Sequence, residues 1–250
     1  MHSITILART SNSLTQTGIA EMMHGYRAAS FRRLEAGVHD QSGEMDTLAR
    51  SQDETGESYC ALMASPNGGL LDVSPDRHPD LTTFLEERKD TLLELASLVV
   101  IVSPDGEAQG RAIALLDAIV PFSLEPGQCS LLLVDCPRNM PPESAFGEIH
   151  AYLRDKPLDG LIVPAVMPAS RAFEEAQVHK LSVSALVNAT DIEGEFRAAR
   201  EKGAGEKKLQ NLGRRLMAAR AVVAAAREFE RVYDALGLPR TKRIVDASAS

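Results

Sequence analysis

Ser11, Ser13, Gln16 and Thr17 share one short loop of this sequence, and Asp72 follows at the end of a later apolar run. These are the places where phosphate and magnesium chemistry needs side chains. The loop, Thr10-Ser11-Asn12-Ser13-Leu14-Thr15-Gln16-Thr17, joins the apolar run SITILA (3–8) to a stretch with helical spacing. A strand, a small-residue loop and a helix in that order aim backbone N–H groups and a helix N-terminus at an anion. A working loop of this kind needs glycines, so that no side chain obstructs the phosphates. It also needs a lysine to neutralise them and a Ser or Thr to hold magnesium. Laid without a gap on the pattern GKGGxGK[ST], Thr17 falls on the metal-holding hydroxyl, Gln16 on the essential lysine and Ser11 on a second lysine. Both lysines and the glycines are missing. Loss of one positioned lysine forfeits a charge-assisted contact worth roughly 1.5–3 kcal/mol. Hydrolysis suffers further, because phosphoryl transfer depends on neutralised charge in its transition state. ATP with magnesium is therefore disfavoured and no cofactor is expected, although Ser13, Thr17 and the helix N-terminus still offer hydroxyls and backbone donors.

Asp72, in GGLLDVSP (68–75), suits a magnesium-bound water or, equally, a cap or turn before Pro75. Asp76, His78 and Asp80 stand together in SPDRHPD, as an acid–base cluster or as a solvated loop leading into a helix, with Asp80 at its first turn. Asp135, Cys136, Arg138 and Asn139 follow another apolar run; no histidine lies nearby in sequence to activate Cys136, which reads as a buried structural thiol. The histidines lack HxxxH or HxH spacing and the three cysteines lack metal-like spacing, so no metal site is expected. Cys60, Cys129 and Cys136 read as reduced core or near-core thiols of a cytoplasmic protein.

The elements that must position these residues are legible as apolar runs. SITILA, GGLLDVSP, SLVVIVSP (97–104), SLLLVDCP (130–137) and DGLIVPAV (159–166) are continuously apolar, as strands covered on both faces are. FRRLEAG (31–37) is a weaker strand, and LSVSALVN (181–188) holds a short extended piece. Residues 79–96 and 106–122 carry helical spacing, so strands alternate with helices in a doubly wound, mostly parallel α/β sheet. Val38 to Ser58 is polar and acidic and reads as a loop with one helical turn around Met45–Arg50. Beyond Ala189 the chain is helix-forming almost throughout, broken at Gly203 and Gly205 and ended by Gly237 and Pro239. The organisation expected is one α/β domain over 1–238 and a tail over 239–250.

Lys202, Lys207, Lys208, Arg214, Arg215, Arg220, Arg227 and Arg231 recur through the C-terminal helices, with Leu209, Leu212, Leu216, Val223 and Phe229 on the other face. The stripe suits DNA phosphates, or is a solvated face diluted by Glu201, Glu206, Glu228 and Glu230. The net charge of −8 provides no global attraction to nucleic acid or anionic lipid, so only this local patch could meet DNA. With 44% apolar residues, 4% aromatics and no Trp, the core must be aliphatic. No signal peptide or membrane-length apolar run is present.

In order and spacing, these runs resemble the ParA/MinD-type ATPases, the deviant Walker A branch of the P-loop NTPases, over roughly residues 3 to 236. SLVVIVSPDGEAQGRAIALLDAI resembles their "vvivt-p" strand and helix, LLLVDCPRN the strand near the adenine, and LDGLIVPAVMPASRAFEEAQVHKLSVSAL the closing segment. Within that superfamily the chain looks closest to plasmid partition ATPases and the TraL/StbB-type proteins of conjugation regions. The resemblance implies a three-layer P-loop NTPase-like sandwich in which Ser11, Ser13, Gln16, Thr17 and Asp72 are a vestigial nucleotide site. It further implies a non-catalytic pseudo-ATPase in plasmid or mobile-DNA maintenance, positioning or conjugative transfer. Its partners would be a partition or transfer protein, a second copy of the chain, or DNA held non-specifically by Lys207, Lys208, Arg214, Arg215 and Arg220, with no membrane involved. Two alternatives stay open: a nucleotide-binding switch, and a small-molecule enzyme using Asp72, Asp76, His78 or Asp135 in a cleft at the strand C-termini.

Overall fold

Six strands hydrogen-bond in the order β2-β3-β1-β4-β5-β6, every neighbouring pair parallel. They are β1 (Ile4–Arg9), β2 (Ser30–Leu34), β3 (Gly69–Val73), β4 (Leu95–Val102), β5 (Cys129–Cys136) and β6 (Ile162–Pro168). The computed structural model describes residues 4–27, 30–35, 44–66, 68–88, 95–122, 127–156, 162–181, 183 and 191–238. The chain leaves β1 to one side for β2 and β3, then crosses to the other side for β4 to β6. The reversal falls at β1, and crevices outside the strand C-termini at such a switch are where open α/β sheets receive ligands.

Helices cover both faces because the strands are apolar on both. Ile4, Ile6, Leu71, Val73, Leu98, Val100, Leu131 and Leu133 pack against Tyr59, Leu62, Phe84, Leu115, Leu116 and Ile149. Those partners belong to α2 (Glu44–Met63), α3 (His78–Glu87), α4 (Gly106–Ile119) and α6 (Gly147–Asp155), the last preceded by the single turn α5 (Pro142–Ala145). On the opposite face Leu7, Leu70, Val99, Ile101, Leu132 and Val134 meet Ile19, Met22, Met23, Phe173, Val222 and Phe229. These come from α1 (Leu14–Arg27), α7 (Ala172–Val178) and α9 (Glu206–Ala235), and α8 (Ile192–Glu201) packs along α9. At Gly18 a Cβ would lie 2.1 Å from the Phe173 ring, so only glycine lets α1 and α7 approach this closely.

The period-2 alternation of strands now places the chemistry. Leu7, Asp72 and Arg33 share one row across β1, β3 and β2, and Arg9 lies one repeat beyond Leu7. All four belong to the face covered by α1.

Three expectations need correction. The segment read as a loop over 38–58 is instead mostly the helix α2 from Glu44, because Thr55, Tyr59 and Leu62 recur on one side and are buried. Cys60 points away from that seam and is exposed, not near-core. On α9 the buried face is Leu212, Ala218, Ala219, Val222, Ala225, Ala226, Phe229, Val232 and Tyr233, with Val223 38% exposed. Alanines, not large aliphatics, mark this face, since they let a long helix lie close to its neighbours. The break at Gly203 (φ 66°) and Gly205 and the stop at Gly237 (φ 64°) fall as expected. Most of the extended piece over 181–188, residues 38–43 and the tail over 239–250 lie outside the described residues.

Candidate functional site

Helix α1 starts with four N–H groups that its own backbone cannot satisfy, and a phosphate loop leaves them for the ligand. Here the chain satisfies two of them itself, those of Ser13 and Gln16. Ser13 caps the helix, its Oγ accepting from Gln16 N at 3.3 Å, and Ser13 O accepts from Thr17 N at 3.1 Å. The Gln16 side chain turns back, so that its Oε1 accepts from Ser11 N at 3.1 Å, and Ser11 Oγ accepts from Ser13 N at 3.4 Å. Ser13-Leu14-Thr15-Gln16 is thus a variant of the S-x-x-Q capping box, in which Gln reaches the loop two residues before the cap. The other end of the Gln16 amide donates to Ser103 Oγ at 2.8 Å and Thr10 Oγ1 at 3.3 Å, and Thr10 Oγ1 donates to Ile101 O at 2.8 Å. Gln16 is fully buried. At position 16 stands a buried amide whose hydrogen bonds run to Ser11, Ser103 and Thr10.

Beside the loop, the Arg9 side chain is 2% exposed and the Asp72 side chain 0%. Arg9 Nε donates to Asp72 Oδ1 at 2.7 Å, and Arg33 Nε to Asp72 Oδ2 at 2.6 Å. Arg9 Nη1 reaches Thr17 Oγ1 at 3.2 Å and Asn12 Oδ1 at 3.4 Å, while Nη2 lies 3.5 Å from Glu35 Oε1. Two guanidiniums thus balance two carboxylates, and the half-exposed Glu35 forms the outer edge. Asp72 is neither a cap nor a turn residue; it is the centre of a buried ion-pair cluster. In phosphate-loop enzymes the loop hydroxyl and the strand-end aspartate hold magnesium. In this protein a guanidinium bridges them. That guanidinium takes up the bonds of the hydroxyl and the aspartate that the metal of a magnesium nucleotide would need, so the residues present do not fit it.

Asp135, at the end of β5, has φ 57° and accepts from Thr15 Oγ1 at 3.0 Å; burial pushes its carboxyl above the usual range, offset in part by that bond and reinforced by Glu174. It is separated from Asp72 by β4 and β1. Asp76 is exposed, Asp80 is buried 3.0 Å from Arg77, and Arg77 also reaches Glu54 at 2.9 Å. Of the four positions expected to line an enzyme cleft, His78 lies against Arg9, the partner of Asp72, while Asp76 is exposed and Asp135 lies apart on β5. Cys136 is buried, and its thiol pKa is raised by burial and by Glu143. Three buried polar atoms near the cluster, Arg33 Nη2, Ser74 Oγ and His78 Nε2, have no hydrogen-bond partner among the described residues.

Along α9, Lys207, Lys208 and Arg214 are exposed. Arg215 lies 3.9 Å from Glu195 and Arg220 3.3 Å from Glu193, so α8 engages two of the five basic residues singled out in the sequence. An open hollow of about 650 Å³ lies at the start of α9, lined by Gly205, Glu206, Lys207, Lys208 and Asn211.

Sequence reasoning missed Arg9, Arg33 and Glu35, because an arginine at a strand end is ordinary and its partners come from two other strands. The capping box was legible in Ser13 and Gln16, but the phosphate-loop pattern drew attention away from it.

Two predictions follow from this geometry. Replacing Asp72 by Ala leaves Arg9 buried without its counter-charge and should cost about 3–5 kcal/mol of stability in urea unfolding; an unchanged midpoint would contradict the cluster. His78 is pulled from 6.5 down to about 4, chiefly by burial, so the unfolded chain binds the extra proton more readily. Its contribution to stability should be complete above pH 6.5 and fall by about 3 kcal/mol as pH drops through 6.5 towards 4. His78→Gln should flatten that part of a stability–pH curve measured by urea unfolding.

No protein-family model and no curated protein matches the chain. Among solved structures it is similar to the MinD cell division protein of Aquifex aeolicus, with a TM-score of 0.43 and 9% identity, covering 96% of this chain and 100% of that one. It is also similar to the MinC:MinD cell division protein complex of Aquifex aeolicus, with a TM-score of 0.40 and 10% identity, covering 96% of this chain and 98% of that one.

Proposed function

We propose that this chain is a ParA/MinD-type scaffold that works without nucleotide turnover, a pseudo-ATPase of plasmid or mobile-DNA maintenance, positioning or conjugative transfer. It acts by binding a partner protein of such a system, a second copy of itself, or DNA through phosphates. The observation that carries this reading is the closed loop: Gln16 and Ser11 take up backbone donors that a phosphate would need. Support for the scaffold comes from the parallel order β2-β3-β1-β4-β5-β6, which sets the loop after β1 beside an aspartate on the adjacent strand β3. Support for DNA contact comes from Lys207, Lys208 and Arg214, which project into solvent. A small-molecule enzyme is the weaker reading, since Asp72 is locked between arginines and Asp135 lies on a separate strand.

Calorimetry with ATP and magnesium tests the first claim. No submillimolar binding and no turnover are expected; binding in that range, with hydrolysis abolished by Asp72→Asn, would overturn it. Duplex binding measured across salt concentrations tests the second. Replacing Lys207, Lys208 and Arg214 together by Ala should weaken binding and reduce the salt slope by about 2.7, at 0.9 per lost phosphate contact. Absence of binding by the parent protein at low salt, or an unchanged slope in the triple variant, would remove DNA from the proposal.

A further inference from the structure

The two edges of the sheet differ in what their backbones offer. β6 carries Pro164 and Pro168, which have no N–H to donate. β2, at the opposite edge, contains no proline. Ser74 N donates to Leu34 O at 2.9 Å, so the N–H and C=O of Leu34 face β3. Peptide groups alternate along a strand, which turns those of Ser30 and Arg32 the same way and those of Phe31 and Arg33 outward. These four outward groups meet no partner among the described residues. Side chains flank them with two chemistries. On the α1 face the half-buried Phe31 ring stacks on His24 with centroids 4.9 Å apart, and the Arg33 guanidinium lies 5.3 Å from it. On the other face Arg32 is exposed and makes no ion pair among the described residues.

We propose that the edge of β2 receives a strand from a partner protein, an extended segment in which acidic and apolar residues alternate. In an antiparallel register two of its apolar residues exchange backbone hydrogen bonds with Phe31 and Arg33, extending the sheet by one strand. The acidic residue between them lies opposite Arg32, where unlike charges directly across from each other favour pairing. The apolar residue beside Phe31 covers a ring that its own sheet leaves half open. Charged side chains on an edge ordinarily keep strands from joining at random. Here Arg32 admits an acidic strand and rejects a basic one. A second copy of the chain fits less well, since the antiparallel register that uses both outward residues of each copy sets Arg32 against Arg32. This edge is separate from the closed loop and from the basic residues of α9, and its role rests only on the partner-protein part of the reading above. ATP calorimetry and duplex binding judge that reading; binding of a strand judges this one.

The experiment titrates the full chain into a fluorescent heptapeptide of alternating Val and Glu and follows polarisation. Saturable binding with a Kd below about 1 mM is expected, and a Val–Lys heptapeptide should not bind. Methylating the Val nitrogens, which face β2 in the antiparallel register, should abolish binding. Arg32→Glu, on the exposed side of the strand, should weaken the Val–Glu peptide about tenfold and take the Val–Lys peptide in its place. Amide hydrogen exchange read by NMR locates the contact. In the free protein the amides of Phe31 and Arg33 should exchange faster than that of Arg32, and the peptide should protect both. No saturable binding, binding that survives methylation of the Val nitrogens, or a Val–Glu preference unchanged in Arg32→Glu overturns the proposal. So does a parent protein that dimerises with the Phe31 and Arg33 amides already protected, which would make a second copy the occupant.

Discussion

Burying Asp72 on the α1 face of a parallel sheet imposes one requirement: its charge must be met within the protein, since water does not reach it. Arg9 and Arg33 meet it from the strands on either side, one on each carboxylate oxygen. Their reach depends on strand register. Arg33 pairs directly with Asp72, and Arg9 extends from just beyond the end of the paired row. A slip of one residue in any of the three strands would carry one charge to the opposite, aliphatic face. The cluster therefore constrains sheet register at the place where the chain reverses direction.

The same economy governs the loop. A helix start and a strand end usually leave donors and charge for a ligand to satisfy. In this protein the donors at the start of α1 go to Ser13, Gln16 and Ser11, and the charge beside it goes to Arg9. Gln16 and Arg9 occupy neighbouring volumes yet do different work. The first is a neutral group satisfying neutral donors; the second is a cation satisfying anions. Together they tie this part of the molecule into the core, which is why the reading put forward places function on surfaces and partners and not on turnover.

Much of the architecture was legible without coordinates. Continuous apolar runs marked β1 and β3 to β6, because those strands bury both faces; the edge strand β2, in FRRLEAG, is charged and partly exposed and was legible only weakly. Gly203, Gly205 and Gly237 marked the helix breaks for local steric reasons. The errors have physical causes as well. Helix α2 hides in an acidic segment because three buried side chains over two turns suffice to dock it. The face of α9 was set one residue out of phase at Val223, since alanines were not counted as core. Thr17 and Asp72 meet at Arg9, which the sequence did not single out, because nothing in the local sequence around Arg9 distinguishes it from a solvated strand-end arginine.

The amino-acid sequence alone determined the order of strands and helices, the absence of the phosphate-loop lysines and glycines, and the capping signal at Ser13 and Gln16. These are properties of residues and their near neighbours, and steric and hydrogen-bonding preferences act over that range. Tertiary structure decided which charged side chains meet. Arg9, Asn12, Thr17, Arg33, Glu35 and Asp72 become neighbours only when β2, β3 and β1 lie side by side. A charge has a partner only where the folded chain brings one within reach.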